Sequence, residues 1–208
     1  MSSRRVSKLF LKPAHGAGMV SVQNIELAHG GVVGDVSRSS SSPRQVLLAR
    51  NEDINHFGLP PGYLRENILL TGLTSTEFKP GQMVNFVSGA SIHLVFYCEP
   101  CQKIGERVPR LSELIHRRGI LGIVTQEGPM EEGDEFTICQ SSFNPMSDKA
   151  QDRVHQVIAA IPKGSVIDYS TLLHASGLQR PYFRVIPKYL QSALAEGLPA
   201  HRVVENLT

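Results

Sequence analysis

Cysteine is scarce in this 208-residue chain, and what remains excludes two kinds of chemistry. Cys98, Cys101 and Cys139 are an odd number with no export signal before them, so no disulfide framework is expected, and reduced thiols in a cytoplasm are. Cys98 and Cys101 form a lone C-x-x-C. A structural zinc needs four ligands at matching spacing, and only Cys139 and scattered histidines are left to complete it, so none is expected. A thioredoxin-type redox pair needs the motif at a helix N-terminus after a βαβ start, a pattern this chain does not show. Long apolar runs are also missing. None approaches the roughly 18 residues of a membrane span, so no membrane partner is expected. In the basic start MSSRRVSKLFLKPAHG only Leu9-Phe10-Leu11 is apolar, too short for a secretory core and better read as a first strand. Excess charge is small: +2 overall, with 15 basic and 15 acidic side chains in residues 1–149 and six against four thereafter. There is no internal repeat and no biased tract beyond Ser39–Ser42, which reads as a flexible loop or as a phosphate or substrate contact.

What is present is an ordinary globular composition, 41% hydrophobic and 19% charged, written in two grammars. From Val6 to Cys139, short apolar runs are broken by glycine and proline: Val46–Leu48, Ile68–Leu70, Met83-Val84, Ile92–Phe96, Ile120–Val124 and Phe136–Ile138. Strands this frequent with one or two helical inserts predict a β-rich α+β fold built on a closed barrel. Gln140–Ser147 is polar and proline-bearing, which makes residues 141–150 a linker between domains at 1–140 and 151–208. Beyond it the period becomes 3.6, with Val154, Val157, Ile158 and Ile161 on one face and Asp152 as the N-cap.

The stretch around Cys101 carries most of the chemistry. An apolar strand (Ile92, Leu94, Val95, Phe96) leads to it, and an amphipathic segment from Pro109 to Arg118 follows, with Leu111, Leu114 and Ile115 on one face and Gly119 as its C-cap. A thiol at a strand mouth before a connecting loop is placed to be reached by a substrate, as ligand or nucleophile. The alternative is a small buried hydrophobe. Arg44, Arg65 and Arg118 offer guanidinium forks for an anion, and Asn67 and Gln45 add neutral hydrogen bonds. For Arg65 and Glu66 the alternative is a local ion pair at a strand edge, and for Asp35 and Asp134 it is turn chemistry.

Gly34-Asp35, Pro43–Leu48, Arg65–Ile68, Gly72-Leu73, Pro80-Gly81, Pro100-Cys101, Arg118-Gly119 and Glu132–Asp134, in this order, resemble the MOSC domain, named for the C-terminal domain of molybdenum cofactor sulfurases. The resemblance spans Gly16 to Cys139 and implies molybdenum-cofactor chemistry: sulfur carriage, or reduction of N-hydroxylated compounds such as base analogues. It implies Cys101 as the catalytic thiol and molybdenum ligand, Arg44, Arg65, Asn67 and Arg118 as cofactor-binding residues, and a molybdenum-cofactor enzyme or electron-donor protein as partner. Pyridoxal phosphate is not expected, since no lysine has a Schiff-base context.

The tail resembles the C-terminal DNA-binding domain of O6-alkylguanine-DNA alkyltransferases. The matching pieces are Ile161–Gly164, Val166, Tyr169, Gly177, Arg184 and Pro199–Val204. This implies a small α-helical, winged-helix or helix-turn-helix domain, truncated at its C-terminus, that binds double-stranded DNA through Tyr169, Arg184, His201 and Arg202. Ser170 is the expected cap of its first helix, Gly177 the closure, and Pro187 a break in the second. Methyltransferases carry cysteine where this chain has Ala200, which has no nucleophile, so alkyl transfer is not expected. An alternative function is a non-enzymatic DNA-damage-binding protein whose barrel is a scaffold or ligand sensor. A third reading keeps the tail only as a helical docking domain.

Overall fold

The computed structural model describes residues 3–108 and 110–206, which divide into two compact units. The first comprises Met1–Ser40 and Arg44–Pro145, the second Ser41–Pro43 and Met146–Thr208. No helix among the described residues is long and apolar enough to cross a membrane.

The first unit is a mixed α+β domain dominated by strands. They are β1 (Arg5–Leu11), β2 (Val20–Val22), β3 (Asn24–Ala28), β4 (Gly31–Val32) and β5 (Val46–Arg50), then helix α1 (Asn51–His56). Next come β6 (Ile68–Thr71), β7 (Gln82–Phe86), β8 (Ser91–Tyr97), β9 (Ile120–Gln126), β10 (Gly128–Glu131) and β11 (Phe136–Gln140). Eight of these pair in the order β11-β7-β8-β9-β5-β6-β1-β2, and a smaller sheet pairs β10-β3-β4. All pairs are antiparallel except β5–β6, whose parallel register needs a crossover, and α1 lies within that connection. The predicted barrel closure is only a short bridge among the described residues. Val6 N–H donates to the Asp134 carbonyl (2.9 Å), Gly133 N–H donates to the Val6 carbonyl (2.8 Å), and Arg5 pairs with Glu135.

Period-two alternation sorts the strand residues onto two faces. Leu9, Val46, Leu48, Ile68 and Leu70 enter the main core with Ile92, Leu94 and Val124. Their neighbours Phe10, Ala49 and Leu69 point the other way, into a second cluster with Ile54, Leu64, Ile104 and Leu114. β5 is therefore buried at every residue, and its unbroken apolar run reflects cover on both faces. The β8–β9 ladder is irregular between Leu94 and Phe96, close to the end of β8 at Tyr97.

The amphipathic segment expected from Pro109 to Arg118 is a single 3-10 turn, Leu111–Leu114; Pro109 lies outside the described residues. Leu114 is buried and Leu111 packs on the second cluster, while Ile115 is 53% exposed. Gly119 is not a helix cap. Its φ of +124° carries the chain into β9 so close to β5 that a Cβ would meet the Leu48 carbonyl oxygen at 2.3 Å.

The second unit holds α2 (Ala150–Ala160), β12 (Ile167–Asp168), α3 (Tyr169–Ala175), α4 (Ile186–Ala195) and β13 (Val203–Val204), with a 3-10 segment Arg180–Val185 before α4. Val154, Ile158 and Ile161 are buried with Leu172, Leu173, Ile186 and Ala193, so the 3.6-residue period marks a real packing face. Three terminus assignments differ from expectation. α2 starts before Asp152, whose carboxylate accepts from Ser147 Oγ (2.9 Å). Asp168, not Ser170, caps α3: its Oδ1 accepts from Thr171 N–H at 2.7 Å, and this bond holds the carboxyl below its usual range. Pro187 lies in the first turn of α4, where a missing N–H leaves no bond unmade, so it starts the helix instead of breaking it. Gly177, with φ of +64°, follows the end of α3 as anticipated.

Candidate functional site

β8 ends at Tyr97, and the chain continues extended through Cys98, Glu99 and Pro100 to Cys101, which opens a 3-10 turn at Gln102–Ile104. Cys98 is 2% exposed; Cys101 is half-buried against the Phe10–Leu114 cluster. Two guanidiniums grip the strand end. Arg44, just before β5, donates Nη1 to Glu99 Oε2 (3.2 Å) and Nη2 to Cys98 Sγ (3.5 Å), with its guanidinium carbon 5.8 Å from the Phe96 ring centre. Arg118, just before β9, donates Nη1 to the Glu99 carbonyl. Arg118 thus holds the backbone, and Arg44 the side chain, of Glu99, two residues before Cys101.

Arg118 is 6% exposed, and its Nε–H has no partner among the described residues. A buried polar N–H left open costs about 1–3 kcal/mol, more when charged, so an empty position there is a place for an acceptor. Glu66, fully buried, faces the same charge. Its Oε1 accepts from Gly62 N–H (2.6 Å) and its Oε2 has no partner among the described residues. Burial pushes the Glu66 carboxyl up from 4.5 to about 7, against the pull of nearby backbone N–H groups and of Arg118.

The candidate residues separate into distinct roles. Arg44 and Arg118 converge on Glu99. Arg65 is half-buried, and among the described residues its side chain makes no hydrogen bond or ion pair; in particular it does not pair with Glu66. Its φ of +66° is left-handed, as is that of His116 (+61°), and among the described residues these two are the non-glycine ones in that region. One adjoins Glu66 and the other lies two residues before Arg118, so backbone strain flanks the same cluster. Asn67 is a structural bridge: Oδ1 accepts from Leu47 N–H (3.1 Å), and Nδ2 donates to Asp35 Oδ2 (2.9 Å) and the Phe10 carbonyl (3.4 Å). Asp35 also caps its own turn, accepting from Lys12 and Ser37 N–H, and Gln45 accepts from Val124 N–H (3.0 Å). Among the described residues no three His, Cys, Asp or Glu side chains gather to hold a metal.

In the second unit, the half-buried Tyr169 stacks edge-on with Phe183, ring centres 5.5 Å apart. Arg184 is exposed and lines a cavity of about 610 Å3 with Arg180, Pro181 and Phe183. His201 is exposed; Arg202 is tied down, donating Nη1 to the Ile161 carbonyl at 2.9 Å. Ala200 is 4% exposed. Sequence reasoning missed Glu66 and His116 as site residues. The signal for Glu66 was its place two residues before the apolar run Ile68–Leu70.

A strand-rich domain with this ordered set of residues defines a MOSC fold. The MOSC domain matches residues 34–137, half of the chain, and the chain belongs to that family. YuaD protein from Bacillus subtilis is similar in structure at TM-score 0.58 and 21% identity, covering 68% of this chain and 98% of its own. YiiM from Geobacillus stearothermophilus matches at TM-score 0.55 and 15% identity, covering 89% of this chain and 98% of its own. YiiM from Escherichia coli matches at 0.51 and 18%, covering 90% and 93%. The first unit, 142 of 208 residues, is 68% of the chain, so the likeness to YiiM must run past Pro145 into the second unit. At these identities the likeness is one of fold. No curated protein matches the chain.

Proposed function

We propose that the first unit works in molybdenum-cofactor chemistry, with Cys101 as its reactive thiol and Arg44 and Arg118 as the anchors of an anionic cofactor. The supporting observation is the buried Arg118 guanidinium with an open N–H, tied to the backbone two residues before Cys101. The donor set fits such a group: a half-buried thiol is a soft ligand, and guanidinium forks match phosphate and oxo groups. When bound, the cofactor would supply oxygen- and electron-transfer chemistry to N-hydroxylated compounds such as base analogues; without it, the same thiol suits sulfur carriage. Arg118 would orient the anionic group, Arg65 would add a second fork from the turn before β6, and the Phe10–Leu114 cluster would exclude water behind Cys101. A carrier or reductase of this kind would act with a molybdenum-cofactor enzyme or an electron-donor protein in a cytoplasm.

For the second unit we propose double-stranded DNA binding without alkyl transfer. Arg180, Arg184 and Lys188 are exposed cations, the first two lining a cavity with Phe183 of the Tyr169–Phe183 pair, and Ala200 offers no acceptor. Expression in a molybdenum-replete host, with metal and pterin analysis of the purified chain, tests the first proposal. Shift assays with duplex DNA at two salt concentrations test the second.

A further inference from the structure

The site contains an acid that the cofactor reading does not use. Glu66 sits between the left-handed Arg65 and the structural Asn67, fully buried, with one carboxylate oxygen held by Gly62 N–H and the other unpartnered among the described residues. Arg118, whose charge acts on Glu66 without an ion pair between them, has one nitrogen on a neutral carbonyl and an open Nε–H. Of the other charged groups of this region, the half-buried Arg65 makes no ion pair among the described residues, and those on the neighbouring elements are held. Arg44 pairs with Glu99, Asp53 on α1 with Arg50 and Arg117, and Asp35 accepts from Asn67. A guanidinium that is nine-tenths buried and lacks a carboxylate partner is an unbalanced charge, which an incoming anion would offset.

We infer that Arg118 and Glu66 form a proton-coupled oxyanion subsite, in which an anion takes the open Arg118 N–H and Glu66 takes up one proton from solvent. Two anions cannot both occupy the low-dielectric space around one guanidinium without strong repulsion, so an ionised Glu66 competes with the ligand and a neutral one does not. No bond is made or broken beyond that proton transfer. The ligand class is a multiply charged tetrahedral oxyanion, the chemistry shared by a phosphate tail and a free sulfate or molybdate. This inference rests on the proposed anchoring role of Arg118, but it is independent of Cys101 and of any metal.

Sulfate is the probe, because its charge does not change across the pH range used. Binding is followed by calorimetry on the full chain in buffers of different ionisation heat, at about pH 6 and about pH 8.5. Because burial already raises the Glu66 carboxyl to about 7, its proton is in place at the lower pH and must be acquired at the higher one. Affinity should fall about 30-fold between the two, with close to one proton taken up per sulfate at the higher pH. Glu66→Gln should bind at the low-pH strength at both values and take up none. Arg118→Gln should lose binding while keeping the wild-type circular dichroism spectrum; if it unfolds, the Glu66→Gln comparison alone decides. Equal wild-type affinity at both pH values, or an unaltered slope in Glu66→Gln, would overturn the subsite, as would no sulfate binding by folded wild type. Sulfate coupling in a protein that retains no molybdenum would leave the subsite standing and refute only the cofactor reading.

Discussion

Replacing Glu66 by Gln should remove a pH-dependent weakness from the first unit. In the folded chain the carboxyl holds its proton up to about 7, against 4.5 when unburied. Between those values the folded state binds the proton more tightly than the unfolded one, so stability falls as pH rises, and the full penalty is present above about 7. The gap corresponds to about 3 kcal/mol, and because the side chain is fully buried, solvent screening removes little of it. Glutamine keeps the shape and the Gly62 contact but cannot ionise. The chain has no tryptophan and divides into two units, so a global unfolding signal would mix transitions. Hydrogen exchange of peptides covering β5 and β6 reads the affected region directly. At each pH the wild type and Glu66→Gln are compared, which cancels the intrinsic pH dependence of exchange. The difference in opening free energy should shift in favour of Glu66→Gln by about 3 kcal/mol between about pH 4.5 and pH 7.5. Any fixed cost of placing an amide opposite Arg118 would displace both ends equally. A difference that stays constant across that range would refute the assignment of Glu66 as a buried, neutral acid.

Three further outcomes follow from the geometry. Gly119→Ala should destabilise the first unit by more than about 2 kcal/mol, seen as faster exchange in β5 and β9, because a Cβ meets the Leu48 carbonyl oxygen at 2.3 Å. Arg44→Lys and Arg65→Lys keep the charge but lose the fork, so both should weaken retention of molybdopterin, measured as pterin per protein; unchanged retention in both would move the pocket elsewhere. In the tail, Lys163, Arg180, Arg184 and Lys188 are exposed, so the slope of log K against log salt for duplex DNA should reach about −3.6, from about −0.9 per phosphate. Labelled methyl from O6-methylguanine DNA should never appear on the protein, and salt-independent affinity or none would leave the tail as a docking domain.

The longer strands were legible from their apolar runs, and β5, β6, β8 and β9 lie within a residue or two of where the pattern places them, whereas β4 and β10 are too short or too mixed to carry one. The two compact units part at Pro145 and Met146, in the stretch where the hydrophobic period changes. Helix ends were less so. Ser170 and Asp168 are both competent caps for α3, and only the geometry at Thr171 N–H selects Asp168. Leu111–Leu114 looks like half a helix in sequence, but its residues fill one cluster in a single turn, which tertiary packing decides. Residue type alone marks Arg44 and Arg118 as candidate anion ligands but cannot show that both reach Glu99, and Asn67 could not be recognised as a bridge, since its partners Leu47, Phe10 and Asp35 are brought to it by the sheet. Glu66 reads in sequence as half of a surface ion pair; only its burial shows otherwise.

The central claim is that Cys101 is a working thiol held at a guanidinium-lined strand end, and it is tested most directly by the molybdenum and bound sulfur carried by three proteins. Wild type, Cys101→Ser and Cys139→Ser are purified from the same molybdenum-replete host and assayed for molybdenum, pterin and persulfide. Cys139 is exposed on β11, so its replacement should leave all three at wild-type levels. Cys101→Ser should abolish molybdenum retention or persulfide formation while the fold is preserved. Wild type lacking both, or equal losses from the two replacements, would contradict the account.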